Sequence, residues 1–178
     1  ETVDEAWPGD IVGLYDTGNL KIGDTLTDGE KLIYTGIPSF SPEIFKEVIN
    51  NDAMKTKQLE KGLLQLMEEG VAQLFTYELG KRKVVGVVGA LQFEVIQFRL
   101  KNEYSASAEF AGQNIYKACW ISSKDPKKLN EFIDSKQRHI ARDKDDKLVF
   151  MAESRAWLQM VQDNFPEINF HFTSEFKD

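Results

Sequence analysis

The hydrophobic pattern between residues 41 and 173 changes period in the same order twice, and this repetition constrains the fold more than any other feature. Short strand-like runs alternate with segments whose apolar residues recur at i, i+4 and i+7, the spacing of a helix with one buried face. Each half has the order β-α-β-β-α-β. This order predicts two ferredoxin-like units, over residues 41–110 and 115–173. The sequence leaves open whether their sheets join.

Capping residues mark where the predicted helices begin. Asp52 can cap a first helix, Asp125 precedes a proline that opens a helix in the second half, and Ser154 can cap the last helix. Between these last two helices, residues 138–142 and 147–151 predict a hairpin. These signals are local, so they predict the elements but not how the elements pack.

The helix predicted over residues 91–104 has two apolar faces. They are formed by Leu91, Val95 and Phe98 on one side, and by Phe93, Ile96, Leu100 and Tyr104 on nearly the opposite side. We expect one face to pack on its own sheet and the other to meet the second half, which would make the two halves one rigid body. Residues 41–49 mix apolar and charged side chains, which predicts an exposed or edge strand.

Residues 1–36 differ from the rest of the chain in their pattern, which predicts short strands and turns. Pro8-Gly9-Asp10 predicts a turn. Short strands are predicted at 11–15, 20–22, 25–26 and 31–35. Four short strands cannot bury a hydrophobic core by themselves. We therefore interpret this segment as the last strands of a β-barrel domain whose other strands are absent. Residues 37–178 are interpreted as a separate α/β domain, and the chain as an α+β fragment of a longer protein.

Composition excludes several classes of protein. The 178 residues carry a net charge of −7, which is unfavourable for a free-standing nucleic-acid-binding protein, although a local basic face stays open. The single cysteine, Cys119, excludes an internal disulfide and a thiolate zinc site, and two histidines are too few for most His-based metal centres. No apolar run approaches the roughly 20 residues of a membrane-spanning helix. The first residues show no basic segment followed by an apolar one, so we expect no secretory signal and a cytoplasmic location.

No catalytic motif is found. The chain lacks a phosphate-binding loop of the Gly-x-x-x-x-Gly-Lys-Ser/Thr type and a Gly-x-Ser-x-Gly elbow. Cationic residues are densest in two segments: Lys81, Arg82 and Lys83, and Lys136, Arg138, His139, Arg142 and Lys144. Solvated turns explain such runs as well as contact with RNA phosphates does. No residue is assigned a catalytic role.

An ordered set of motifs resembles the bacterial peptide chain release factor 3 family, the class II release factors among the translational GTPases. The motifs are PGDIVGL at 8–14, KIGDTL at 21–26, YTGIPSFSPEIF at 34–45, KQLEKGL at 57–63, LMEEG at 66–70 and VGVVGALQFEV at 85–95. No single motif is decisive, but the set extends over most of the chain. The first two are similar to the end of the β-barrel second domain of translational GTPases.

The resemblance implies a function in translation termination. Members bind the ribosome as GTPases after peptide release and promote departure of the codon-reading release factor. GTP and magnesium would bind an N-terminal G domain that this chain lacks, so no GTP-binding, metal-binding or catalytic residue is expected here. The implied partners are rRNA, ribosomal proteins and the G domain of the same protein, with no DNA or membrane and with the protein as a monomer. The cationic residues named above are the candidate ribosome contacts.

Two other functions stay open from the residues. A stand-alone ferredoxin-like module could bind RNA or a small ligand, but the chain lacks an RRM-type strand with exposed aromatic residues and lacks a predicted convergent polar cluster. An independent enzyme would need site chemistry that the motifs do not provide. A phosphate-binding loop encoded upstream of Glu1 would favour the release factor.

Overall fold

A computed structural model of the chain describes residues 4–15, 25–30, 32 and 41–174. The chain divides into two compact units, Glu1–Thr35 and Gly36–Asp178. Among the described residues, no helix is both long enough and apolar enough to cross a membrane.

The first unit contains the turn predicted at Pro8-Gly9. The backbone N–H of Asp10 donates to the carbonyl of Trp7 at 2.9 Å, and the N–H of Trp7 donates to Oδ2 of Asp10 at 2.8 Å. The strands predicted at 11–15 and 25–26 are wrong, because those residues form no strand. A strand is held by a paired neighbour, and Ile11 and Tyr15 are almost fully exposed. The predicted strands at 20–22 and 31–35 lie outside the described residues, except for Leu32.

The second unit contains four helices and eight strands among its described residues. In chain order they are β1 (Ile44–Asn50), α1 (Thr56–Glu68), β2 (Gln73–Tyr77), β3 (Lys83–Val87), α2 (Leu91–Tyr104), β4 (Ala108–Gly112), β5 (Lys117–Ser122), α3 (Pro126–Ser135), β6 (Ile140–Arg142), β7 (Leu148–Ala152), α4 (Arg155–Asn164) and β8 (Asn169–His171). Short 3-10 helices precede α1 and β6. The predicted element order, β-α-β-β-α-β twice, is confirmed.

The predicted caps are present at the starts of the helices. The Asp52 carboxylate accepts from the N–H of Met54 at 3.0 Å in the 3-10 helix that leads into α1. The Asp125 carboxylate accepts from Lys127 at 2.9 Å, and Pro126 begins α3. Ser154 caps α4. Each cap satisfies a backbone donor that the helix itself leaves unpaired.

All eight strands belong to one sheet, which is antiparallel at every pair. The strand order is β4-β1-β3-β2-β6-β7-β5-β8. The halves join where β2 pairs with β6, through Thr76 opposite Arg142 and Tyr77 opposite Ala141. The sequence left open whether the two halves share a sheet, and in the structure they do.

The prediction that residues 41–49 form an exposed or edge strand is wrong. Strand β1 pairs with β3 on one side and with β4 on the other. Its charged residues are accommodated by specific contacts, because Lys46 Nζ lies 4.4 Å from the centre of the Phe93 ring and Glu47 accepts a hydrogen bond from Arg82. An interior strand can therefore carry charges at a sheet face.

Three groups of buried side chains form the core, two under the helices and one on the opposite face of the sheet. The helix side of the first half buries Leu59, Leu63, Leu66, Met67, Leu74, Val85, Val87, Phe93, Ile96 and Leu100. The helix side of the second half buries Cys119, Ile121, Phe132, Ile140, Phe150, Ala152, Leu158 and Val161. The helix-free core contains Phe45, Phe75, Tyr77, Val84, Ala118, Trp120, Ala141, Val149 and Met151.

The helix-free core combines residues of both halves because the sheet bends on itself. Phe75 is in β2 and Trp120 is in β5, with β6 and β7 between them. In a flat sheet, three strand spacings would separate them by about 14 Å. Their ring centres are 6.0 Å apart. The helix-free faces of the two halves therefore pack against each other.

The prediction that both faces of α2 are buried is wrong. Phe93, Ile96 and Leu100 pack in the first core, as expected. Leu91, however, is 72% exposed and Phe98 is 68% exposed, and Val95 is half-exposed. The two halves therefore do not meet through α2. They meet instead through the β2–β6 pairing and the helix-free core.

Candidate functional site

The first cationic segment singled out from the sequence meets part of the second at the junction of the two halves. Lys81 and Arg82 lie in the turn between β2 and β3, and Lys83 begins β3. The hairpin of β6 and β7 carries Arg142 and Lys144. The pairing of β2 with β6 brings these two segments together. The backbone N–H of Glu78 also donates to the carbonyl of Ile140 at 2.9 Å, which extends the pairing into the turn.

Glu78 is the shared partner of a cation from each segment. Its carboxylate accepts from Lys81 Nζ at 2.9 Å and from Arg142 Nε. The hydrogen bond from Lys81, followed by that from Arg142, lowers the pKa of Glu78, and the hydrogen bond to Glu78 raises the pKa of Arg142. Arg142 also donates to the carbonyl oxygen of Asp146 at 2.7 Å. Arg142 therefore braces the junction.

Arg82 and Lys83 are also held by acidic side chains. Arg82 Nη1 lies 3.0 Å from Oε2 of Glu47, and its guanidinium carbon lies 4.8 Å from the centre of the Tyr77 ring. Burial raises the pKa of Tyr77, an effect that the charge of Arg82 partly opposes. Lys83 Nζ pairs with Glu60 of α1. These contacts tie the turn to the surrounding elements of the first half.

A pocket of about 310 Å³ opens beside this junction. It is lined by Glu60, Leu63, Leu64, Leu74, Thr76, Lys83, Asp143 and Lys144. The two lysines are balanced by acids, since Lys144 Nζ lies 2.9 Å from Oδ1 of Asp145 and Lys83 pairs with Glu60. The pocket therefore carries no excess charge that would select an anionic ligand.

Asp143 fixes the shape of the hairpin between β6 and β7. Its Oδ1 accepts from the backbone N–H groups of Asp145 and Lys147, each at 2.9 Å, and its Oδ2 accepts from Nε1 of Trp120 at 2.7 Å. The hairpin tip is thus attached to a tryptophan of the helix-free core. The sequence predicted the hairpin, but no sequence pattern indicated this role of Asp143.

The remaining candidates lie at a second place, which we name the Trp157 corner. It consists of Lys136, His139 and Trp157, which contact one another, and of their near neighbours along the chain, Arg138 and Arg155. The ring centres of His139 and Trp157 are 4.6 Å apart, and Lys136 Nζ lies 6.0 Å from the centre of the Trp157 ring. Nε2 of His139 lies 3.0 Å from Oε1 of Glu153. Arg138 and Arg155 are exposed, and within the described part of the chain no ion pair involves either one.

Sequence reasoning missed Arg155 and the contacts of Trp157. Trp157 packs against Phe150, with 5.0 Å between the ring centres. Its ring also lies beside Lys136 and His139, which no spacing rule indicates. The only sequence signal for Arg155 is its place two residues before Trp157 in a helix that Ser154 caps.

A family comparison covers both cationic places. The sequence model of the class II release factor RF3 C-terminal domain matches residues 34–162. The chain belongs to this family. The matched residues extend from before β1 into α4, so the RF3 match includes the junction and the Trp157 corner, while β8 follows it.

Membership in the RF3 family confirms the resemblance and assigns the chain to protein biosynthesis, at the step of termination. Among the residues that the structure describes, no three His, Cys, Asp or Glu side chains are grouped so that they could hold a metal ion. The chemistry available at the two cationic places of this RF3 domain is charge pairing and hydrogen-bond donation by lysine and arginine.

Proposed function

We propose that this chain is the ribosome-binding C-terminal part of a translation-termination GTPase that promotes departure of the codon-reading release factor after peptide release. In this proposal, the chain itself carries out no chemistry. GTP and magnesium would bind a preceding G domain, and this part would couple the nucleotide state of that domain to the ribosome. The protein would act in the cytoplasm as a monomer.

The observation that carries the proposal is the helix-free core shared by the two halves, taken together with family membership. A coupling element must transmit displacement without bending internally. The pairing of β2 with β6, the packing of Phe75 on Trp120 and the bracing of Arg142 by Glu78 all oppose motion between the halves. These contacts support a domain whose two halves move as one stiff body, rather than two modules joined by a linker.

We interpret each half of the domain as a ferredoxin-like unit, over residues 41–110 and 115–173. The β-α-β-β-α-β order and the corresponding strand orders in the two halves support this interpretation. Residues 1–36 would be the last strands of a preceding barrel domain. Residues 37–178 would be the stiff coupling domain, which we call the limb.

The ribosome would be contacted through charge. Phosphate groups of rRNA attract exposed lysine and arginine residues, and such binding weakens steeply with salt because counterions are released when it forms. The candidates are Lys81, Arg82, Lys83, Lys136, Arg138, His139, Arg142 and Lys144. Ribosomal proteins would supply the rest of the contact.

Sedimentation with bacterial 70S ribosomes tests this function. We expect the chain to pellet with ribosomes at low salt, to be released as salt rises, and to show no affinity for GTP. A chain that stays in the supernatant at low salt would contradict ribosome binding, and measurable GTP affinity would contradict the assignment of nucleotide binding to another domain.

A further inference from the structure

Among the eight candidate cations, those near the junction are already paired with acids of the same chain. Lys81 and Arg142 pair with Glu78. The other pairs are Arg82 with Glu47, Lys83 with Glu60, and Lys144 with Asp145. Binding an external phosphate through these groups would require breaking internal pairs. Lys136 and Arg138 differ, because within the described residues neither is ion-paired.

The Trp157 corner presents cations on a fixed aromatic support. Trp157 packs against Phe150 of β7, and its ring lies beside both His139 and Lys136. Lys136 Nζ also lies 5.7 Å from the centre of the Phe165 ring. Aromatic faces attract cations and limit their motion, so less ordering is needed when an anion binds. Because His139 and Phe150 lie beside its ring, Trp157 is better suited to hold cations than to stack a base.

The charge balance of this corner is positive. Lys136, Arg138 and Arg155 are not ion-paired with an acid in the described residues, while Glu153 is engaged with His139. Asp134, near the end of α3, is the other acid close in sequence. Arginine presents a planar set of donors that matches the two oxygens of a phosphate.

We propose that the Trp157 corner is a site for the phosphodiester backbone of ribosomal RNA, an inference that rests on the proposed function. Arg138 and Arg155 contact phosphate oxygens, Lys136 adds charge, and Trp157 is a positioning residue. Recognition is independent of base sequence, since contacts to phosphate oxygens carry no sequence information. The paired cations of the junction maintain the fold instead.

The test compares two double variants with the same change of charge. Arg138→Gln with Arg155→Gln alters the corner, and Lys57→Gln with Lys61→Gln removes two exposed lysines of α1 that, in the described residues, form no ion pair. Binding to 70S ribosomes is measured between low and moderate salt. We expect the corner variant to bind at least about tenfold more weakly and its salt slope to fall by roughly 1.4 to 1.8. The α1 variant should bind within about twofold of the unaltered chain.

The outcomes separate this site from the proposed function. If the unaltered chain binds ribosomes and the corner variant binds equally well with the same slope, the site is wrong while the function stands. If the unaltered chain does not bind at all, the function is wrong and the site falls with it. If both double variants lose the same ribosome affinity, the chain is attracted to the ribosome by its overall charge and not through a defined site. That result would also overturn the proposed site.

A second probe distinguishes RNA from an acidic protein surface. Protein-free ribosomal RNA should bind the unaltered chain and should lose affinity for the corner variant. If the variant loses ribosome binding but keeps its affinity for protein-free RNA, the partner is a ribosomal protein and the RNA site is overturned. Trp157→Leu should weaken RNA binding roughly two- to fivefold, and Trp157→Phe should restore it, because Phe keeps an aromatic face for the cations.

Discussion

The rings of Phe75 and Trp120 lie 6.0 Å apart and tilted by 57°, although the two residues belong to different halves of the domain. Phe75 is fully buried and Trp120 almost so. Aromatic pairs in this arrangement attract each other beyond the area that they bury. This contact makes the two halves depend on each other for stability.

Replacing Phe75 by alanine should be costly, whereas the same change at Phe98 should not. Phe75→Ala removes a fully buried ring from the shared core and should lower the free energy of unfolding by about 3–5 kcal/mol. Phe98→Ala, on the exposed face of α2, should change it by less than about 0.5 kcal/mol. Urea denaturation followed by circular dichroism measures both. Similar losses for the two variants would mean that the exposed face is covered in solution.

Glu78 should make stability depend on pH in the acidic range. Its pKa is lowered in the folded protein by Lys81 and Arg142, so its contribution is present at pH values above the unfolded pKa of about 4.3 and is lost as the pH falls through the lower folded value. The ion pairs are partly exposed, and Glu78→Gln should cost about 0.5–1 kcal/mol at neutral pH. Unfolding curves at pH 7 and pH 3 should show this difference shrinking. A difference that is constant with pH would contradict the role of the charge.

Gly62 is required where α1 crosses α2. A methyl group at this position would lie 2.7 Å from Cδ2 of Leu100 and 2.8 Å from Cγ of Tyr104. Gly62→Ala should therefore destabilise the protein by about 1–3 kcal/mol, even though alanine favours a helix by up to about 1 kcal/mol. Adding Leu100→Ala should cost less in the Gly62→Ala background than in the unaltered chain. Strictly additive losses, or a gain from Gly62→Ala alone, would refute the close approach.

Cys119 should be unreactive until the protein unfolds. Burial in the second-half core raises the pKa of its thiol to about 12, so at pH 8 almost no thiolate forms. Ellman's reagent should detect no thiol in the folded chain and one per chain in urea. Rapid reaction without denaturant would show that the core around Cys119 opens readily.

Local signals in the sequence predicted the elements of the second unit well. The carboxylates of Asp52 and Asp125 each act on a backbone N–H two residues ahead, so helix starts could be found without knowledge of the fold. The periodicity of α2 gave its length and its buried face. The periodicity could not predict whether Leu91 and Phe98 are buried, because an apolar face is buried only if another element covers it.

Contacts between residues far apart along the chain could not be predicted from the sequence. The join of β2 and β6 consists of two residue pairs, too few to leave a pattern. Arg142 was a candidate for external contact, but its partner Glu78 is 64 positions away, and only that join brings the two together. The same limit hid the Trp157 corner, where contacts rather than spacing place Lys136 and His139 beside an aromatic ring. Whether the corner binds RNA stays a prediction.

The stiffness of the limb is tested most directly by the distance between two spin labels, one on each half. Lys61→Cys on α1 and Lys127→Cys on α3 place labels on exposed helix positions, and buried Cys119 should remain unlabelled. We expect double electron–electron resonance to give one narrow distance distribution that broadens when Phe75→Ala is added. A broad or two-peaked distribution in the otherwise unaltered chain would show that the halves move independently and would contradict the account.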